Sequence, residues 1–131
     1  DLHILVSGIQ IISEEHRWEK WADYPKTRAC LLREIAETQT PTILLSGDRH
    51  IHEISVLQDW AGKFPLPDIT SSGLTHSWDG FPGETNRHRV GEVFTGLGYG
   101  VINIDWSGPK PQIKLAIKDT NGNAQISHQI E

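Results

Sequence analysis

The chain opens on an apolar stretch, His3 to Ile12 (HILVSGIQII), rich in β-branched residues and interrupted by Ser7-Gly8. That pattern predicts a buried strand with a bend or functional turn in it. The period then changes. Trp18 and Trp21 stand three apart among Glu14, Glu15, Arg17, Glu19 and Lys20, which predicts a short amphipathic turn of helix. Asp23-Tyr24-Pro25 supplies an acid suited to a cap and a proline suited to a first helical turn. Leu31, Leu32, Ile35 and Ala36 follow on one face, so a helix is expected from about Pro25 to Thr38. Pro41 closes the connection, and Thr42 to Ser46 (TILLS) is apolar on both faces, as a central strand covered by helices would be.

A third strand is expected to begin near Ile51, carry Ile54 and Val56, and end around Asp59-Trp60-Ala61-Gly62. Pro65 and Pro67 mark a loop, and Asp68 to Gly73 reads as a short strand running into a glycine turn. From Leu74 to Gly98 the chain is polar and broken by Gly80, Pro82, Gly83, Gly91 and Gly96. A structureless loop of that length in a compact domain tends to be functional. The last third alternates cleanly. Ile102, Ile104 and Trp106 share one face, then Ile113, Leu115 and Ile117, and Asn121-Gly122 is a strong hairpin signal before Ala124, Ile126, His128 and Ile130. These segments predict an antiparallel meander with one wet face. The fold class expected is α/β: a mixed sheet with a helix on one face and a C-terminal antiparallel meander.

Composition narrows the partners. The 131 residues carry a formal net charge of -5, with 22% charged and 37% hydrophobic positions, an ordinary balance for a globular domain. No basic stripe is present to displace counterions from a nucleic acid, and no run of apolar residues has the length of a membrane span. The single cysteine, Cys30, lies in the helical pattern and reads as a small buried apolar residue. The chain has no methionine and begins in what reads as the middle of a strand, so it is expected to be a piece of a longer polypeptide. Localisation is not readable from these features.

The chemistry concentrates at Ser46 to Glu53 (SGDRHIHE), directly after the apolar strand. If the strand stays extended, Asp48 and His50 point the same way and reach one point at its carboxyl end, a place where α/β sheets collect ligands. A carboxylate and an imidazole together suit a transition ion. Arg49 would point the other way and be free for a carboxylate or phosphate. His52 shares the parity of Asp48 and His50 and is a possible third group, and Glu53 could orient a ligating histidine. The same residues also suit a polar turn in which Asp48 caps a backbone amide. Weaker candidates are Gln10 as a donor to a ligand, the Thr70-Ser71-Ser72-Gly73 turn with His76, and Asn86-Arg87-His88-Arg89, the only dense basic cluster. Of the five tryptophans, Trp78 alone sits where it could serve as a ligand platform, the rest reading as core or core-edge anchors.

The combination of TRACLLREI, TILLSGDRHIHE, PLPDITSSGLTHSW and NRHRVGEVFTGLGYGVINIDW resembles the C-terminal part of the PhoD-like alkaline phosphatases, within the calcineurin-like metallophosphoesterases. The resemblance implies a partial metallophosphoesterase-type sandwich and a two-metal site, associated in that family with iron and calcium, acting on phosphomonoesters or phosphodiesters. It implies metal ligation by Asp48 and His50, with Gly47-Asp48-Arg49-His50 similar to the superfamily's Gly-His-x-His motif with aspartate in place of its first histidine. The superfamily's earlier ligand motifs are missing from this sequence, so an upstream segment of the same protein is expected to complete the site, and the fragment alone is expected to be inactive. His52 or His76 could then protonate a leaving group and Arg87 could steady a phosphate oxygen. The resemblance also favours a bacterial, periplasmic or secreted setting. The rival expectation is a non-catalytic, β-rich module that binds a carbohydrate or another ligand through its tryptophans.

Overall fold

The computed structural model describes residues 1–130 as three layers: a helix, a five-stranded mixed sheet and a three-stranded antiparallel sheet. The helix α1 (Pro25–Glu37) begins where the sequence places a proline at the first helical position, and it ends with the Thr38 hydroxyl bonded to the Ile35 carbonyl at 2.8 Å. Ile35 packs with Ile11, Ile12, Leu44 and Leu66 on one face of the larger sheet, with Leu31 and Leu32 flanking them. Cys30 is exposed, beside Arg33, which corrects its expected burial.

The larger sheet runs in the order β1 (His3–Val6), β2 (Thr42–Ser46), β4 (Leu66–Ser71), β3 (His52–Leu57) and β5 (Arg89–Phe94). β1 and β4 lie parallel to β2, whereas β3 is antiparallel to both β4 and β5. Four of the five positions of β2 are buried, as its continuous apolar run requires. Three differences from the sequence reading matter. The first strand stops at Val6 and is an exposed edge, because none of the described residues covers its outer side; the buried residues Gln10 to Ser13 follow it as irregular backbone. Pro67 lies inside β4, where its missing N–H costs no bond to β2 because that pairing starts at Asp68. The long polar segment is a loop only as far as His88, since Arg89–Phe94 forms the edge strand β5, with an irregularity in its pairing opposite β3.

The second sheet is the expected meander: β6 (Gly98–Asp105), β7 (Gln112–Asp119) and β8 (Ala124–Ile130). The Asp119 carboxylate accepts the amides of Asn121 and Asn123 at 2.9 Å each and holds the turn in which Gly122 adopts φ 83°. Ile113, Leu115 and Ile117 alternate inward from β7 and meet Ile43, Ile54, Val56 and Ile69 of the larger sheet, with Ile126 completing this core. Trp106 falls just past β6 and is 57% exposed, so it does not join Ile102 and Ile104. No helix among the described residues is long and apolar enough to cross a membrane.

Candidate functional site

Beyond Ser46 the chain does not stay extended. Asp48 and His50 take φ values of 68° and 53°, left-handed backbone that aspartate tolerates far better than most residues and that marks a tight turn. The expectation of two side chains alternating along a strand is therefore corrected. The turn still leaves both on one hollow: Asp48 and His50 are exposed, Arg49 between them is buried, and all three line an open space of about 470 Å³ with Arg17, Trp18 and Trp78.

Two clasps hold the turn. The Ser72 hydroxyl accepts the His50 amide at 3.0 Å, and the Trp78 amide donates to the His50 carbonyl at 2.8 Å. The serine-rich turn after β4 thus satisfies backbone, and with it the chain returns close enough to set the His76 ring 6.0 Å from the His50 ring at 30°. Beneath the turn, Arg49 donates to Gln10 Oε1 at 2.9 Å and pairs with Glu84 at 2.5 Å. Gln10 in turn donates to Glu53 Oε1 at 2.6 Å and Thr70 Oγ1 at 2.7 Å. Glu53 also accepts from Arg89 at 2.8 Å and Asn86 at 3.2 Å. Gln10 is a structural bridge, neither a ligand donor nor solvent-facing, and the guanidinium of Arg49 is committed to its neighbours.

A second buried acid lies next to this network. Asp68 accepts the Ser46 hydroxyl at 2.6 Å and the amides of Ile11 and Ile12 at 2.9 and 3.1 Å, fixing the irregular segment that follows β1. Burial pushes its carboxyl above the usual range, against the pull of those donors.

The remaining sequence candidates do not converge on the hollow. His52 is fully buried in β3, stacked on Phe94 at 5.7 Å, with neither ring nitrogen hydrogen-bonded. Burial lowers its basicity, and backbone groups of Gly96 and Gly73 oppose this without reaching hydrogen-bond geometry. In that position His52 cannot hand a proton to a ligand in the hollow. Arg87 is exposed and pairs with Glu14, while its amide donates to Glu15 at 2.6 Å, so it is engaged away from Asp48 and His50. Of the five predicted residues, Asp48 and His50 share the hollow, His76 lies beside the His50 ring without lining that hollow, and His52 and Arg87 are elsewhere.

Sequence reasoning missed three neighbours, Arg17, Trp18 and His16. Trp18 joins Trp78 at 5.8 Å and 86°, with the Arg17 guanidinium 4.8 Å above the Trp18 ring. His16, 5% exposed, lines an adjoining hollow of about 310 Å³ that shares Arg17 and Trp78 with the first. Their positions depend on the irregular path after β1, for which no local pattern speaks.

Among the described residues no group of three or more histidine, cysteine, aspartate or glutamate side chains is placed to hold a metal ion. Asp48 and His50 are two donors on one hollow, fewer than either ion of a two-metal centre needs. The residues of this chain alone therefore do not fit such a centre. No protein-family model matches the chain, and no curated protein matches it.

Proposed function

We propose that this chain contributes one wall of the active site of a metal-dependent phosphoric ester hydrolase of the PhoD-like type, acting on phosphomonoesters or phosphodiesters. In this reading Asp48 and His50 are two of its metal ligands, and the remaining donors for the implied iron and calcium ions come from a preceding segment of the same protein. The observation that carries the reading is the shared hollow of Asp48 and His50 just past the carboxyl end of β2, with the His76 ring 6.0 Å from that of His50. A buried arginine, locked by Gln10 and Glu84, fixes the backbone between the two donors, which is how a site is kept rigid enough to select a ligand. In this reading His76, exposed and 6.0 Å from His50 ring to ring, exchanges a proton with the leaving oxygen.

The test is turnover of a phosphomonoester and a phosphodiester by the protein that includes the preceding segment. Asp48→Asn and His50→Ala are each expected to reduce it by more than the about 10–100-fold typical of losing a residue that only orients a ligand. Both variants are also expected to weaken metal retention. Unchanged turnover in both overturns the reading.

One observation favours a second reading. The right-angled pair Trp18 and Trp78 lines the same hollow, and a non-catalytic module that binds a carbohydrate or another ligand would use such a surface. It predicts ligand binding indifferent to chelator and to Asp48→Asn.

A further inference from the structure

Trp78 stands between two hollows. On one side are Asp48 and His50, on the other His16 and Glu84, and both spaces are lined by Trp78 and Arg17. The indole is not a loose surface group. Its backbone amide is bonded to His50, Phe81 meets it at 5.3 Å and 81°, and Trp18 meets it at 5.8 Å and 86°. Aromatic side chains fixed in this way lose little freedom when a ligand settles on them. The Arg17 guanidinium brings positive charge to the same wall and to both spaces.

His16 adds a polar requirement. Its Nδ1 accepts the Trp18 amide at 3.2 Å, so the neutral ring carries its proton on Nε2, and that atom is buried with no partner. Burial and the adjacent Arg49 keep the imidazole neutral, its pKa lowered to about 4. A buried donor without an acceptor is uncommon enough in folded proteins to mark a place where something else supplies one.

We propose that the ligand of this site is a phosphoric ester whose alcohol part carries a planar ring, an aryl or nucleoside group, with the ring on Trp78 and the phosphate toward Asp48 and His50. The proposal rests on the phosphoester reading above and adds the class of leaving group to it. An aryl ring uses the stacking surface alone. A nucleobase also has carbonyl and ring-nitrogen acceptors, one of which answers the His16 N–H once the imidazole turns Nε2, enclosed in the free protein, toward the hollow.

The experiment is equilibrium binding to the metal-loaded protein that includes the preceding segment, read by tryptophan fluorescence and calorimetry. The probes are inorganic phosphate and the non-hydrolysable phosphonate analogues of phenyl phosphate, adenosine 5′-phosphate and glycerol phosphate. Both ring-bearing analogues are expected to bind about tenfold or more tightly than the glycerol analogue. Trp78→Ala should erase that difference, and Trp78→Phe should retain most of it. Tighter binding of the adenosine analogue than of the phenyl analogue, lost in His16→Leu, identifies the nucleoside; equal binding identifies the aryl group. Equal affinity of the native protein for phenyl, adenosine and glycerol analogues overturns the proposal without any variant having to fold, as does a ring preference that survives Trp78→Ala. Turnover is not read here, so failure of the hydrolase assay and failure of the ring preference remain separate results.

Discussion

His16 is 5% exposed and holds its proton poorly, at about pH 4 against an ordinary 6.5, because burial and then Arg49 disfavour the imidazolium. Between those two pH values the unfolded chain binds a proton at this position that the folded chain does not. Stability contributed by the neutral ring is therefore full above pH 6.5 and is lost as the pH falls toward 4. His16→Gln keeps an acceptor for the Trp18 amide but cannot titrate. Thermal unfolding followed from pH 7.5 to 4 should fall less steeply for the variant than for the native chain, with the two curves parallel above pH 7. Part of the acid limb should persist, since His52 and His128 are also lowered by burial. Parallel curves down to pH 4 would remove His16 from the account. A second residue-scale consequence concerns Gly73, where an added Cβ would come to 2.4 Å from His52 Nε2. His52 is fully enclosed and stacked on Phe94 and has little room to give way. Gly73→Ala is expected to cost about 1–3 kcal/mol in urea unfolding through overpacking, and a neutral result would mean that the imidazole swings aside.

At the scale of elements, β3 works on both faces. Ile54 and Val56 enter the core between the sheets, whereas Glu53 and Ser55 face the polar network. Glu53 is 1% exposed and accepts from Gln10 of the segment after β1, from Arg89 of β5 and from Asn86 of the loop before it. Its carboxylate thus ties an edge strand and an irregular segment to the middle of the sheet. Glu53→Ala should cost about 3–5 kcal/mol, because it leaves the Arg89 charge half-buried without its partner. Replacing Glu53 and Arg89 together, by Met and Leu, should cost less than the sum of the single changes, a coupling that denaturant unfolding of all four proteins would measure. Additive costs would mean that the pair acts independently.

The same elements explain what could be read in advance. α1, β2 and the meander β6 to β8 followed from local signals: Pro25 at a first turn, an unbroken apolar run, alternation around Asn121-Gly122. The Gly47-Asp48 turn also had a local signal, which stood open beside the strand parity of Asp48 and His50 until their φ values decided for the turn. The polar network had none. Gln10 meets Glu53 and Thr70 from 43 and 60 positions away, and Ile11 meets Asp68 from 57. Burial of such groups depends on partners that only the folded sheet brings together.

For the molecule as a whole, the sheet order leaves β1 at an edge with all four residues exposed, Ile4 at 46%, Leu5 at 37% and Val6 at 78%. β1 is parallel to β2, and the amides of His3 and Ser7 donate to the carbonyls of Pro41 and Leu45. Residues of that parity face β2, so the backbone groups of Ile4 and Val6 point outward, where no strand among the described residues receives them. An apolar edge with free donors and acceptors is the arrangement that natural sheets blunt with charge or proline, and β1 has neither between Ile4 and Val6. The opposite edge differs: β5 carries Arg89 and Glu92 and lies against β8. Concentration-dependent association is therefore expected to proceed through β1. Val6→Lys places a charge on the most exposed of the three apolar side chains and removes no buried contact. Stability should change by no more than about 0.5 kcal/mol, while sedimentation velocity across a concentration series shows less association than for the native chain. If Glu92→Val at the other edge promotes association and Val6→Lys leaves it unchanged, the exposed parallel edge is not where this molecule meets its copies, and β5 is.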